Sequence, residues 1–176
     1  MLFAFVALCV QDLPKSNQPA GLQTLNEHLK IFEPLVGKTY RGEFASSTPE
    51  KPVFDVSRWE RAMNGQAVRI LHSVNDGEYG GETILMWDSN RNKVAFWYFT
   101  TAGFHTEGTM EIDGKVWTST EKVTGEANGV TEVKASSEVT PEGGFIMKSE
   151  YFRNGAWEKG HEILYKLAPD AEVRFK

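Results

Sequence analysis

The sequence predicts a mostly β protein, an up-and-down antiparallel barrel of about ten strands with one N-terminal helix. Alternation of apolar and polar residues with a period of two dominates from Lys38 onward. Nine turn signals divide this region into ten strands of similar length. Five of them are Asn-Gly or Asp-Gly pairs, which supply the positive φ angles of tight hairpin turns: Asn64-Gly65, Asp76-Gly77, Asp113-Gly114, Asn128-Gly129 and Asn154-Gly155. Four looser turns fit residues 46–52, 89–92, 101–103 and 141–144.

Composition and charge exclude several classes of protein. The 176 residues are enough for one domain, and 40% hydrophobic with 24% charged residues is ordinary globular composition. The formal net charge of −5 argues against nucleic acid and against an anionic membrane surface as partners, because both require a basic face. A single cysteine, Cys9, rules out an internal disulfide framework and a cysteine-based zinc site.

The first 21 residues are expected to lie outside the barrel domain. Residues 1–10 form an apolar run that is too short for a membrane span, which needs about 20 apolar residues. Ala7 and Cys9 are small residues at a plausible cleavage spacing, although no basic residue precedes the run. We therefore expect a periplasmic or secreted protein, with a cytoplasmic protein carrying an apolar tail as the alternative. Polar residues 11–21 are typical of a linker, and residues 22–176 form the domain.

A helix is predicted just before the first strand. Leu22, Leu25, Leu29 and Phe32 recur at helical spacing, and Pro34 ends the segment. Such an amphipathic helix needs a surface to lie on, so we expect it to cover one mouth or one flank of the barrel.

Sequential hairpins favour a closed barrel over an open sheet. No helix-length segment separates the strands, which excludes parallel crossovers. Closure into a barrel removes both exposed edges. A β-sandwich is the alternative, but its Greek-key connections are usually longer than these turns.

Hairpin parity predicts which side chains face inward. Propagation from the first two Asn-Gly and Asp-Gly turns gives an apolar inner face and a charged outer face, with Met63 and His72 inward. Trp97 and Phe99 fall on the charged face, and the helix or a second copy in a homodimer would cover them. Glu121 falls inward, where a carboxyl group needs a partner or a ligand. In the last strand the apolar residues fall on the face that the preceding turn predicts to be outward, and a bulge near Gly160 would bring them back to the inner face.

Short motifs connect the chain to a known family. The segment LVGKTYRGEF at residues 35–44 follows the helix, and Gly80-Gly81 and Trp87-Asp88 come later. Over about residues 25–165 the chain resembles uncharacterised bacterial lipocalin-like domains of the calycin superfamily, except that Tyr40 stands where a tryptophan is typical. The resemblance implies a barrel that binds small apolar molecules. A minority of such barrels bind haem, with a histidine near the C-terminal end, or catalyse a reaction.

We therefore expect a small apolar or amphipathic ligand inside the barrel, without a cofactor. Ten strands enclose more space than side chains fill, so a cavity should form. His72, Tyr98 and Glu121 would orient the ligand as its polar contacts. The full predicted ligand-binding set is Trp59, Ile70, His72, Trp87, Phe96, Tyr98, Met110, Trp117, Glu121 and Tyr151.

Two alternatives assign chemistry to the histidines. One is haem binding through His72 or through His161, where the resemblance supports His161. The other is an enzyme in which His72 and Glu121 form an acid–base pair. No histidine lies in a metal-binding spacing, and no nucleophile elbow or phosphate loop is present, so neither a metal ligand nor a catalytic residue is assigned.

Overall fold

The computed structural model describes residues 24–176. The apolar run at residues 1–10, the linker at residues 11–21 and the start of the predicted helix at Leu22 lie outside the described residues.

Ten antiparallel strands form one closed barrel in which each strand pairs with the next along the chain. The last strand pairs with the first, so no edge is left open. The predicted up-and-down barrel is thereby confirmed, and the nine connections fall at or next to the predicted turns. At Asp113-Gly114 the turn lies one residue later, because Asp113 ends β6 and pairs with Val116. The strands are β1 (Thr39–Phe44), β2 (Phe54–Ala62), β3 (Ala67–Val74), β4 (Tyr79–Asp88), β5 (Lys93–Thr100), β6 (His105–Asp113), β7 (Val116–Thr124), β8 (Val130–Val139), β9 (Phe145–Arg153) and β10 (Ala156–Leu167).

Helical content in the described residues is minimal. In place of the predicted amphipathic helix, the described part of that segment contains one short 3₁₀ helix, Glu27–Phe32. The side chain of Asn26 caps it by accepting a hydrogen bond from the backbone N–H of His28 at 3.0 Å. Leu29 and Phe32 are fully buried in the main core, so this short helix closes one end of the barrel.

The β2–β3 connection departs from a simple two-residue turn. Met63–Gly65 forms a second 3₁₀ helix, in which Met63 and Asn64 take positive φ angles. Met63 is 59% exposed, so its predicted inward position is wrong. The prediction fails because Met63 belongs to the turn and not to the strand. The pairing of Ala62 with Ala67 nevertheless keeps the register that the sequence predicts for β3.

A bulge in β10 turns the apolar residues of the last strand toward the barrel interior. The register between β9 and β10 shifts between Lys159 and Glu162, around the predicted position Gly160. A Cβ at residue 160 would lie 2.5 Å from the hydroxyl of Ser149 and 2.8 Å from the ring of Tyr151, so glycine is required there. Beyond the bulge His161 borders the barrel interior and Ile163 is buried in the core.

Two large aromatic side chains remain on the outer face. Trp97 is 36% exposed and Phe99 is 52% exposed, and no described segment covers them. A homodimer interface at this position therefore stays a prediction. Among residues 24–176, no helix has the length and apolar character that a membrane crossing would require.

Candidate functional site

The interior of the barrel contains a cavity of about 750 Å³. This volume lies within the range of about 300–1,000 Å³ that is usual for small-molecule sites. At the end that the 3₁₀ helix closes, the cavity meets a packed aromatic floor, which we define as Trp59, Phe96, Trp117 and Phe145. Phe32 packs below this floor, with its ring centroid 5.5 Å from that of Trp117 and 5.8 Å from that of Trp59.

Small side chains on one wall leave the space for the cavity. Ser119 on β7, Ala135 and Ser137 on β8 and Ser149 on β9 all line it. Their neighbours along each strand point outward, as strand alternation requires. Because these four side chains are small, they leave part of the barrel interior unfilled.

Polar side chains gather at the other end of the cavity in a continuous hydrogen-bonded chain. His72 Nδ1 lies 2.8 Å from Asp55 Oδ1, and His72 Nε2 lies 2.8 Å from the hydroxyl of Tyr98. The hydroxyl of Tyr98 in turn lies 2.7 Å from that of Tyr79. Tyr165 donates to the second oxygen of Asp55 at 2.8 Å. We call Asp55, His72, Tyr79, Tyr98 and Glu121 the polar end.

The carboxylate of Asp55 determines which group donates in each of these hydrogen bonds. An ionised carboxylate only accepts hydrogen bonds, so Nδ1 of His72 carries a proton and donates to Asp55. When Nε2 carries none, it accepts from Tyr98, and Tyr98 then accepts from Tyr79. In that state the hydroxyl hydrogen of Tyr79 is used within the chain, and its oxygen is left as an acceptor.

Two glycines make room for the polar end. Gly81 lies opposite His72, and a Cβ there would come within 2.5 Å of the Tyr98 ring and would also overlap the carbonyl oxygen of Phe99. The missing side chain therefore lets Tyr98 lie against β4 within reach of His72. Gly108 lies directly opposite Glu121, and a Cβ there would overlap the carbonyl oxygen of Thr120 and come within 3.0 Å of the Glu121 Cα, so glycine lets β6 approach β7 closely at this position.

Glu121 is a carboxyl group held among hydroxyls. Thr106 donates to its Oε2 at 2.5 Å, and Ser119 also forms a hydrogen bond with it. Burial raises the pKa of Glu121 from 4.5 to about 7, and these two hydrogen bonds only partly oppose that effect. Its charge also contributes to raising the pKa of Tyr79, Tyr98 and Tyr151, so all four groups share one region of the cavity.

His161 borders the cavity on the far side of the bulge. Its backbone N–H donates to the hydroxyl of Ser149 at 2.8 Å, and the rings of Phe44 and Tyr151 meet it edge-on. Burial lowers the pKa of His161, so its imidazole is neutral at pH 7. Within the described residues, no hydrogen bond is formed by its ring nitrogens.

Nine of the ten predicted ligand-binding residues line the cavity. Trp87 does not, because its ring stacks on His28 with centroids 3.6 Å apart and packs against the core from outside the cavity. Asp55 belongs to the polar end but was not predicted. A signal for it exists, since Asp55 precedes Trp59 by four residues in β2 and therefore lies on the same face.

Neither histidine alternative is fully supported by these contacts. The partners of His72 are Asp55 and Tyr98, so the predicted acid–base pair of His72 with Glu121 is not formed by direct contact. Because both ring nitrogens of His72 are engaged, a haem iron has no free nitrogen there, whereas His161 could supply one. Among residues 24–176, no cluster of three or more side chains is placed to hold a metal ion.

Comparisons with known proteins find a solved structure with a similar fold but no matching protein family. No protein-family model matches the chain, and no curated protein matches it. A solved structure, the crystal structure of Rv2717c from M. tuberculosis, superposes with a TM-score of 0.61 and 14% sequence identity. The match covers 82% of this chain and 99% of that chain. At this identity the similarity supports the barrel fold and carries no information about the ligand.

Proposed function

We propose that this protein binds a small apolar or amphipathic molecule inside its barrel. The observation that carries the proposal is the interior cavity of about 750 Å³ between an aromatic floor and a polar end. Apolar surface supplies affinity in such sites, and a few convergent polar groups orient the ligand. The resemblance of residues 35–44 to the opening of lipocalin-like barrels supports the same function.

The ligand would place its apolar part on the floor and its polar group near His72, Tyr98 and Glu121. Trp59, Ile70, Phe96, Met110, Trp117 and Tyr151 would supply apolar contacts. Trp87 is left out of this set because its ring stacks on His28.

A filled-cavity variant tests the proposal against a matched control. Ala135→Trp places a large ring inside the cavity, whereas Ser136→Trp places the same ring outside, one residue along β8. Nile red, a neutral dye whose fluorescence rises in apolar surroundings, is titrated into each protein. We expect wild type and Ser136→Trp to bind the dye and Ala135→Trp to lose binding by about tenfold or more.

The proposal is wrong if wild type does not bind the dye, or if both tryptophan variants bind it equally. Circular dichroism shows whether each variant is folded. If Ala135→Trp does not fold, Ala135→Leu is the smaller replacement, with Ser136→Leu as its control.

Haem binding through His161 is a second candidate. The supporting observation is a neutral imidazole that borders the cavity with no hydrogen bond to its ring nitrogens among the described residues. Against it, the two carboxyl groups of the polar end are unfavourable neighbours for the two carboxylates that haem carries. Titration with hemin should give a sharp Soret band that is lost in His161→Ala and retained in His72→Ala. A band that His161→Ala leaves unchanged would exclude this candidate.

A further inference from the structure

We propose that the molecule bound in the barrel carries a basic amine, and that Glu121 is the residue that pairs with it. The inference rests on the proposed function and specifies the chemical class of the ligand. It follows from the charges and hydrogen-bonding capacity that the described cavity residues present to the interior.

The other charged cavity residues have their partners inside the protein. Asp55 is 1% exposed, and each of its two oxygens accepts a hydrogen bond from the fold, one from His72 and one from Tyr165. Arg153 lines the cavity and forms an ion pair with Glu158 at 2.8 Å. The partners of these groups are therefore part of the fold, and a ligand is not needed to supply them.

Glu121 differs because the partners described for it are hydroxyls, and no imidazole or guanidinium is among them. The hydroxyls of Thr106 and Ser119 donate to it, but a hydroxyl cannot neutralise a carboxylate. A buried charge without a counter-charge is costly, so an ionised Glu121 favours a cation entering the cavity. The same charge repels a carboxylate on the ligand.

The hydrogen-bonding capacity of the polar end points to the same class of ligand. When Nε2 of His72 carries no proton, the hydroxyl hydrogens of Tyr98 and Tyr79 are both used within the chain. The groups left for a ligand are then acceptors, namely the Tyr79 oxygen and the carboxylate of Glu121. A protonated primary amine has three N–H donors and no acceptor, which complements this arrangement.

The remaining titratable groups near Glu121 do not reverse this preference. Tyr79, Tyr98 and Tyr151 have raised pKa values and stay neutral, and the lowered pKa of His161 keeps it neutral at pH 7. His161 gains charge only as the pH falls, and it then disfavours a cationic ligand as well. A variant of Glu121 is therefore needed to separate the effect of Glu121 from that of His161.

Three ten-carbon ligands that differ only in their polar group test the inference by competition with Nile red. At about pH 8 we expect decylamine to bind about tenfold more tightly than decanol, and decanoate to bind most weakly. In Glu121→Gln the affinity for decylamine should fall by about tenfold or more, with decanol unchanged. Glu138→Gln removes an exposed carboxylate from β8 and should leave all three affinities unchanged.

The possible outcomes separate this inference from the proposed function. If Nile red and all three ligands fail to bind, the proposed function itself is wrong. If Nile red binds but decanol or decanoate equals decylamine, or if Glu121→Gln binds decylamine like wild type, only the amine assignment is wrong. If Glu121→Gln does not fold, Glu121→Met removes the same charge with a side chain of similar length, and it should lose affinity for decylamine in the same way while binding decanol like wild type.

Discussion

The two ends of the barrel interior bury their residues by different means. The floor and Phe32 form an apolar cluster in which aromatic rings meet at centroid distances of 5.5–6.3 Å. The polar end buries two carboxyl groups, and its side chains are held by hydrogen bonds of 2.5–2.8 Å. The floor therefore contributes stability through apolar packing, whereas the polar end buries carboxyl groups at a cost in stability.

The largest effect should come from opening the packing below the floor. Phe32→Ala removes a ring that is 0% exposed and should lower the free energy of unfolding by about 3–5 kcal/mol. Urea denaturation measures the loss. Phe99→Ala is the matched control, since Phe99 is 52% exposed and its loss should cost no more than about 0.5 kcal/mol. Equal losses in the two variants would mean that the 3₁₀ helix does not close the barrel.

At the polar end a substitution should raise stability instead of lowering it, and the gain should depend on pH. The pKa of Glu121 is raised in the folded state, so its contribution to stability is greatest below about pH 4.5 and is lost as the pH rises through about 7. Glu121→Gln should therefore be more stable than wild type at about pH 8, by up to about 3 kcal/mol, and similar to it at about pH 5.

Comparing the two proteins at each pH also removes the contribution of His161. The lowered pKa of His161 acts in the opposite direction, because its stabilising effect is lost as the pH falls below about 6.5. Urea denaturation of both proteins across this range measures the difference. A gap that does not widen with pH would show that Glu121 is not buried as a neutral acid.

A pair of tyrosine variants compares the hydroxyl groups of the two ends. Tyr98→Phe removes the hydroxyl between His72 and Tyr79 and should cost about 1–2 kcal/mol. Tyr40 is also buried, but its hydroxyl has no hydrogen-bond partner among the described residues, so Tyr40→Phe should be neutral or slightly stabilising. Thermal unfolding of both variants decides this comparison. Equal costs would contradict the division between the two ends.

The smallest effect is expected at Trp87. Trp87→Phe retains an aromatic ring against His28 and should lower stability by about 1 kcal/mol or less. Because Trp87 does not line the cavity, the affinity for Nile red should not change. A weaker affinity would return Trp87 to the ligand-binding set.

The sequence determines the architecture more clearly than the chemistry. Asn-Gly and Asp-Gly pairs report on a few local φ angles, and closure then follows from sequential pairing, so the barrel could be predicted without long-range information. The bulge at Gly160 could be predicted because an inversion of parity has few other causes. The predicted inward orientation of Met63 is wrong because alternation alone does not show where a strand ends.

The polar end could be predicted only in part. The alternation of inward and outward residues along each strand places His72, Tyr98 and Glu121 inward, but it does not predict which of these side chains are in contact. The bond from His72 to Asp55 depends on β2 and β3 being neighbours and on two side-chain rotamers. The predicted pairing of His72 with Glu121 overlooked this nearer carboxyl group. Trp87 has the expected parity, but it lies beside the 3₁₀ helix, where His28 covers it.

The seam between the first and last strands has a consequence for how the protein is made. Tyr165 on β10 reaches Asp55 on β2 across 110 residues of sequence, and β10 also supplies the partner strand of β1. During synthesis the edge of β1 therefore has no partner strand until β10 has left the ribosome. A chain that stalls before Ala156 would lack both the seam and Tyr165, so the barrel closes only when the last strand has been made.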